Sequence, residues 1–346
     1  MGKDLIFNFN ILNFFILIIS FFIFNLIFRK FAKSFNLLDQ NDHRKIHYGN
    51  IPLIGGITIY STLIFNLYFF NINLNNIFLI VFYSSFIIIL IGILDDMYNI
   101  PPYIRLLFQI ISITIIINSG LSITSINYNG YSYSFGIFGY LFTTLCLVTV
   151  INAYNFIDGI DGLCSSIFLI PLSFIMFILF SQSRYNEIEL FLTLFIIVFI
   201  FLIINLGFIK SLKIFLGDNG STFLGFILGC FLIYLSEVKI IDTFFVPWLI
   251  AIPIYDLIRV IIYRLVRNIN PTNPDRIHLH HILNSYFNNH HFSLIVICSS
   301  SIILSLFGYI ITELNTFLSL CSYILFFLIY FYIINLIEKK IIKKIQ

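Results

Sequence analysis

Long apolar stretches, each ended by a charge or a turn-forming residue, recur along the whole of this chain, and they decide its solvent. A membrane span needs roughly 20 apolar residues, with about 17 to 25 tolerated. On that rule spans fall near 8–28, 52–70, 77–94, 104–119, 136–153, 163–180, 188–208, 222–236, 244–263, 293–312 and 316–337. The count is about eleven, and 222–236 is the weakest because it is short and contains glycine. Composition agrees: 60% of the 346 residues are hydrophobic and 10% charged, where soluble domains carry about a quarter charged residues. The expected fold is therefore an all-α polytopic membrane protein, one membrane-embedded unit over 1–346 with no repeat and no appended soluble domain.

Charge orients the threading. Lys3, Arg184 and Lys239 lie on one side, and the other sixteen of the nineteen Lys and Arg lie on the other. The positive-inside rule then puts the N-terminus outside and the tail from Glu338 to Lys344 in the cytoplasm. The run from Ile11 to Phe28 is followed by Arg29, Lys30 and Lys33 and has no small-residue cleavage site, so it is read as a retained first span. Five scattered cysteines imply neither a disulfide framework nor a zinc site. Asn is common in the connections and is given no role. Outside, Ile126–Tyr133 with Asn129-Gly130 at its centre predicts a small hairpin.

Under this threading Asp95, Asp96, Asp158, Asp161 and Asp218, each at the end of an apolar run, face the cytoplasm with all seven histidines. Asp95-Asp96 closes the third span; two adjacent carboxylates stay ionised beside a cation or a basic group, and a solvated acidic turn is an even alternative. Asn152, Asn155, Asp158 and Asp161 recur every third residue, with Gly159 and Gly162 allowing the chain to open towards a ligand. So many amide and carboxylate oxygens between two apolar spans are expensive unless something binds them. Asp218, between Gly217 and Gly220, stands at a helix start suited to phosphate and metal together; a helix cap by Asp218 or Ser221 competes. Phe215 can stack on a planar base or serve as an interfacial anchor.

Two basic segments complete the set. Arg44, Lys45 and His47 can meet an anionic substrate or lie against lipid head groups, and Pro52 with Gly55-Gly56 lets the backbone turn and approach a neighbour closely. In the longest cytoplasmic loop His278, His280 and His281 can donate to phosphate or bind metal, and Arg276 can grip phosphate bidentately. Asp256, three residues before Arg259, reads as a helix-face ion pair in a supporting role.

Together these segments, HxxxxPxxGG, LDD, NxxNxxDGxDGL, FxGDxGS and PDRxHxHH, resemble the polyprenyl-phosphate N-acetylhexosamine-1-phosphate transferase family over about Arg44 to His281. The His278-Leu279-His280-His281 loop is most similar to the N-acetylglucosamine branch that starts surface polysaccharides. The resemblance implies transfer of a sugar 1-phosphate from a UDP-N-acetylhexosamine to a polyprenyl phosphate, with release of UMP, at the cytoplasmic face of the inner (plasma) membrane. It implies Mg²⁺, with Mn²⁺ as the alternative, and no nucleic-acid partner; a homodimer is left open. By the same carry-over Asp218 is a principal metal ligand, and Asp95 and Asp96 are metal or lipid-phosphate groups. Asp158 and Asp161 fall on the nucleotide side with Asn152 and Asn155, the latter also a candidate metal ligand. Phe215 goes to the uracil, and Arg276 with the three histidines to the diphosphate. Because a phosphate monoester is mostly ionised at neutral pH, Asp95 and Asp96 are expected to act through position and charge rather than proton removal. The competing class is a secondary transporter, whose ionisable groups usually sit near the bilayer midplane rather than at span ends.

Overall fold

A computed structural model describes residues 11–39, 51–72, 74–128, 131–268 and 277–345. Among these residues the structure is all-helical apart from four short strands, and the chain divides into two compact units that interleave in sequence.

The first unit comprises Met1–Leu121 and Leu172–Ile227. It holds α1 (Ile11–Ala32), the two-residue strands β1 (Leu38–Asp39) and β2 (Ile51–Pro52), α2 (Gly55–Phe69), α3 (Asn76–Tyr98) and α4 (Pro102–Asn118). The second half of α6 (Leu163–Ser181), α7 (Tyr185–Asn205) and the first half of α8 (Gly217–Glu237) follow. α1 packs on α2 and α7, and α3 runs back along α4. Local chemistry sets the ends. Asn75 caps α3 by accepting from the Ile77 N–H, Asn99 closes it in the left-handed conformation, and Pro102 opens α4, where its missing N–H costs nothing.

The second unit comprises Ser122–Pro171 and Leu228–Gln346. It contains the hairpin β3 (Ser125–Tyr128) and β4 (Tyr131–Ser134), α5 (Phe138–Ile157), the remaining halves of α6 and α8, α9 (Val246–Leu249), α10 (Ala251–Val266), α11 (Leu279–Phe287), α12 (His290–Leu314) and α13 (Thr316–Ile345). The predicted hairpin is present, with Tyr128 paired to Tyr131; its Asn129-Gly130 turn lies outside the described residues. α10 packs on α5, α12 and α13, and α11 against α12 and α13. Trp248, the single tryptophan, is buried and donates from Nε1 to Ser319 Oγ at 2.9 Å.

Among the described residues eight helices are long and apolar enough to cross a membrane: α1, α3, α5, α6, α7, α8, α12 and α13. The other three expected spans correspond to shorter elements, α2 with 15 residues, α4 with 17, and the region 244–263, which breaks at Ile250 into α9 and α10. The connecting asparagines also acquire a use. Of the seven described non-glycine residues with positive φ, five are asparagines: Asn36, Asn71, Asn99, Asn268 and Asn288. Asparagine tolerates that conformation best among residues with a Cβ.

Candidate active site

In the first unit Asp95, Asp96 and Asp218 come together where the end of α3 meets the start of α8. The Asp96 carboxylate caps α8: Oδ1 accepts from the Asp218 N–H at 2.9 Å, and Oδ2 accepts from the Asn219 N–H at 3.2 Å and from Asn219 Nδ2 at 2.6 Å. These are helix-start donors with no partner inside the helix, and a carboxylate is favoured there by the helix dipole as well. The expected caps, Asp218 and Ser221, are thus replaced by a residue more than a hundred positions away. Gly217 makes room for it. Its φ is +73°, and a Cβ there would lie 2.7 Å from Asp96 Oδ2.

Asp95 is held just as firmly. Its Oδ1 accepts from the Ile100 N–H at 2.7 Å and its Oδ2 from Arg105 Nη1 at 2.6 Å, the same guanidinium lying 3.5 Å from Asp218 Oδ2. Asp95 is buried, whereas the Asp218 side chain is 40% exposed. Asp96 and Asp218 are both partly exposed.

Asn219, fully buried, ties α2 to this group. Its Oδ1 accepts from the Ile57 N–H at 3.0 Å and its Nδ2 donates to the Leu53 carbonyl at 3.1 Å. A Cβ on Gly56 would come within 2.2 Å of its Oδ1, and one on Gly92 within 2.3 Å of its Cα, so both helices approach backbone to backbone. The segment carrying Phe215 is laced to Pro52–Gly56: Phe215 N–H donates to the Pro52 carbonyl, and Gly55 N–H to that of Phe215, both at 2.9 Å. Lys213 Nζ lies 5.3 Å from the Phe215 ring centroid.

In the second unit Asn152 and Asn155 lie on the last turns of α5, Asp158 is the residue at its C-terminal cap, and Asp161 follows in the turn before α6. The helix therefore ends between the two pairs, with Gly162 at φ +78° completing the turn. Asn152 Nδ2 donates to the Val148 carbonyl. His278 is the N-cap of α11, and His280 lies in its first turn. The His280 ring stacks parallel to that of His278 at 6.0 Å and lies 4.1 Å from that of His281. It packs on Gly159, where a Cβ would meet its Nε2 at 1.9 Å, so this glycine and this histidine require each other. Burial above all, then His281 and His278 beside it, pushes His280 down to about 3, so it is neutral at physiological pH.

Lys45, His47 and Arg276 lie outside the described residues. Arg105 and Asn219 escaped the sequence reading. Each had a signal: Arg105 is the one charged residue in α4, and Asn219 is an amide at the start of an apolar helix.

The donors suit a hard divalent cation. Mg²⁺ keeps several waters and is bound through one or two carboxylates plus substrate phosphates rather than a protein cage. Among the described residues no three His, Cys, Asp or Glu side chains converge as a cage; Asp218, partly exposed, is the carboxylate of this group that could hold such a cation.

Fold and site together define a multi-pass membrane protein with acidic and basic groups gathered at helix ends. Residues 78–236 match the family model of glycosyl transferase family 4. The undecaprenyl-phosphate alpha-N-acetylglucosaminyl 1-phosphate transferase of Escherichia coli (strain K12) is 31% identical over 276 residues, covering 77% of this chain and 75% of that protein. The protein of the same name from Yersinia pestis is 30% identical over 332 residues, 92% of this chain and 90% of that one. A probable undecaprenyl-phosphate N-acetylglucosaminyl 1-phosphate transferase of Bacillus subtilis (strain 168) is 30% identical over 309 residues, 88% and 85% of the two chains. The chain belongs to glycosyl transferase family 4, as its motifs suggested.

Proposed function

We propose that this protein transfers N-acetylglucosamine 1-phosphate, or a related N-acetylhexosamine 1-phosphate, from a UDP-sugar to undecaprenyl phosphate at the cytoplasmic face of the plasma (inner) membrane, as the first membrane step of a surface polysaccharide. The observation that carries the reading is the Asp95–Asp96–Asp218 group with Arg105 inside it, in a chain whose relatives are named for this reaction.

An oxygen of the acceptor phosphate forms a bond to the β-phosphorus of the UDP-sugar, and the bond from that phosphorus to the bridging oxygen breaks. UMP leaves with the bridging oxygen, and the lipid keeps the sugar on a new diphosphate. An acceptor dianion enters and UMP leaves as a dianion, so charge balances with no proton moved. A general base has little to do, since the second pKa of a phosphate monoester is near 6.

The difficulty is bringing two polyanions together. Asp218 is assigned an oxygen for Mg²⁺ or Mn²⁺. A cation held there would supply positive charge to offset that of the phosphates. Asp96 and Asn219 fix Asp218 by holding the first turn of α8. Asp95 fixes Arg105, a cation for the acceptor phosphate. Asp158, Asp161, Asn152 and Phe215 are assigned to the nucleotide, and His278, His281 and Arg276 to the diphosphate, with Lys45 and His47 as further cations for the anionic substrates. His280, neutral and buried, supports the turn at Gly159 instead.

The test is incubation of the purified protein with undecaprenyl phosphate, Mg²⁺ and individual UDP-sugars, with UMP and lipid-linked sugar measured. UMP release with a UDP-N-acetylhexosamine is expected. Failure with every UDP-N-acetylhexosamine tried would return the transporter reading to the front.

A further inference from the structure

Asp256 on α10 is 2% exposed, and its two oxygens collect four donors from three parts of the second unit. Oδ1 accepts from Arg259 Nη2 at 3.0 Å, from the Leu279 N–H at 3.0 Å and from the Tyr330 hydroxyl on α13 at 3.2 Å. Oδ2 faces His278 Nδ1 at 3.1 Å. Arg259 also donates to the Ile277 carbonyl, so Asp256 and Arg259 together grip three consecutive residues, Ile277 to Leu279, at the entry to the histidine motif. This exceeds what an ion pair along one helix face needs.

The arrangement sets the proton on His278. An ionised carboxylate only accepts hydrogen bonds, so His278 Nδ1 carries the hydrogen, and any contact with a substrate is made through Nε2. Nε2 of the neutral ring then carries a lone pair, an acceptor for a hydroxyl or amide hydrogen. The carboxylate against Nδ1 fixes the ring's direction. Among the described residues the charged and titratable groups around the ring are Asp256 and Arg259 from α10, Tyr330 from α13 through Asp256, and His280 and His281 from α11. From α5 comes the uncharged Phe156 ring, at 5.2 Å.

We propose that Asp256, braced by Tyr330, is a positioning residue that holds His278 by its Nδ1–H and so keeps Nε2 as the acceptor turned towards the nucleotide sugar. The inference rests on the transferase reading for its substrate, but its geometry is tested without turnover. Full-length protein labelled with ¹⁵N-histidine in detergent micelles gives the tautomer of each ring by NMR, with His278 assigned by the signal lost in His278→Asn. In the wild type the neutral His278 ring carries its hydrogen on Nδ1; in Asp256→Asn, whose amide can donate in place of accepting, it moves to Nε2. A wild-type ring with its hydrogen on Nε2 overturns the proposal whether or not the variant folds, and so does the same tautomer in wild type and variant.

Kinetics supply the functional half. Asp256→Asn and His278→Asn each raise KM for the UDP-sugar by roughly 10-fold or more, within the 10- to 100-fold range of losses measured for groups that orient a ligating histidine. The double variant is no worse than His278→Asn alone. Losses that multiply would show that Asp256 acts apart from His278. Absence of turnover in the wild type would sink the transferase reading and leave the tautomer result standing.

Discussion

Asn219 gives the sharpest test of how the acidic group is assembled, because shape and hydrogen-bond chemistry predict opposite rankings for two substitutions. Asn219→Leu keeps the volume roughly but removes three side-chain bonds: one from Nδ2 to the Asp96 carboxylate, one from Nδ2 to the Leu53 carbonyl and one accepted from the Ile57 N–H. A bond to a charged partner contributes about 1.5–3 kcal/mol and a neutral one about 0.5–1.5. With some return from the buried leucine, the net loss is about 2–4 kcal/mol. Asn219→Asp is closer in shape and still accepts from Ile57. It loses both donated bonds, however, and sets a second carboxylate where an amide now lies 2.6 Å from Asp96 Oδ2, in a fully buried position. It is therefore expected to be at least as damaging as leucine at pH 8. Buried Cys164 and Cys230 provide the assay, through the temperature at which they become reactive to a thiol-specific dye in mild detergent. Both variants should show a midpoint several degrees lower and catalytic rates reduced roughly 10-fold or more. A midpoint for Asn219→Asp near wild type, or clearly above that of Asn219→Leu, would refute the claim that the amide's donors hold Asp96 to α8.

Arg105→Ala strips a 2.6 Å charge-assisted bond from buried Asp95 and should cost about 1.5–3 kcal/mol, together with most of the activity. Arg105→Lys, able to reach one carboxylate at a time, should fall between alanine and wild type in thermal midpoint and in kcat/KM. Gly159→Ala drives a methyl into the His280 ring and should lower both midpoint and activity, with the added loss much smaller in a His280→Ala background; equal losses in both backgrounds would contradict the packing. His280 also sets a pH dependence. Its folded value, about 3, lies below the ordinary 6.5, so the unfolded chain takes up a proton that the folded chain refuses. Its contribution is fully present above about pH 6.5 and is lost as pH falls, by up to about 1.4 kcal/mol per pH unit. Comparing midpoints at pH 7.5 and 5.5 in wild type and His280→Leu should show a shallower decline in the variant.

Much of this was legible in the sequence because a membrane helix writes its length directly as an apolar run. The runs at 77–94 and 163–180 lie within a few residues of α3 and α6. The region 244–263 did not read as two helices, because proline in a first turn is compatible with either; Pro247 and Pro253 stand in the opening turns of α9 and α10. Asp95, Asp96 and Asp218 were recognisable as a group from their places at span ends, but not the division of labour among them. That depends on Arg105 reaching back from α4 and on Asp96 capping a helix that begins at Gly217, and neither leaves a local pattern. The three histidines looked equivalent in sequence; burial against Gly159 and the carboxylate of Asp256 make them different.

The central claim is that a sugar 1-phosphate, and not a sugar alone, moves to the lipid. A UDP-N-acetylhexosamine carrying ³²P in its β-phosphate, incubated with purified protein, undecaprenyl phosphate and Mg²⁺, tests this directly. The account predicts label in the lipid product and unlabelled UMP in solution, with both lost in Asp218→Asn. Label remaining in solution as UDP, or a lipid product formed without it, would contradict the account.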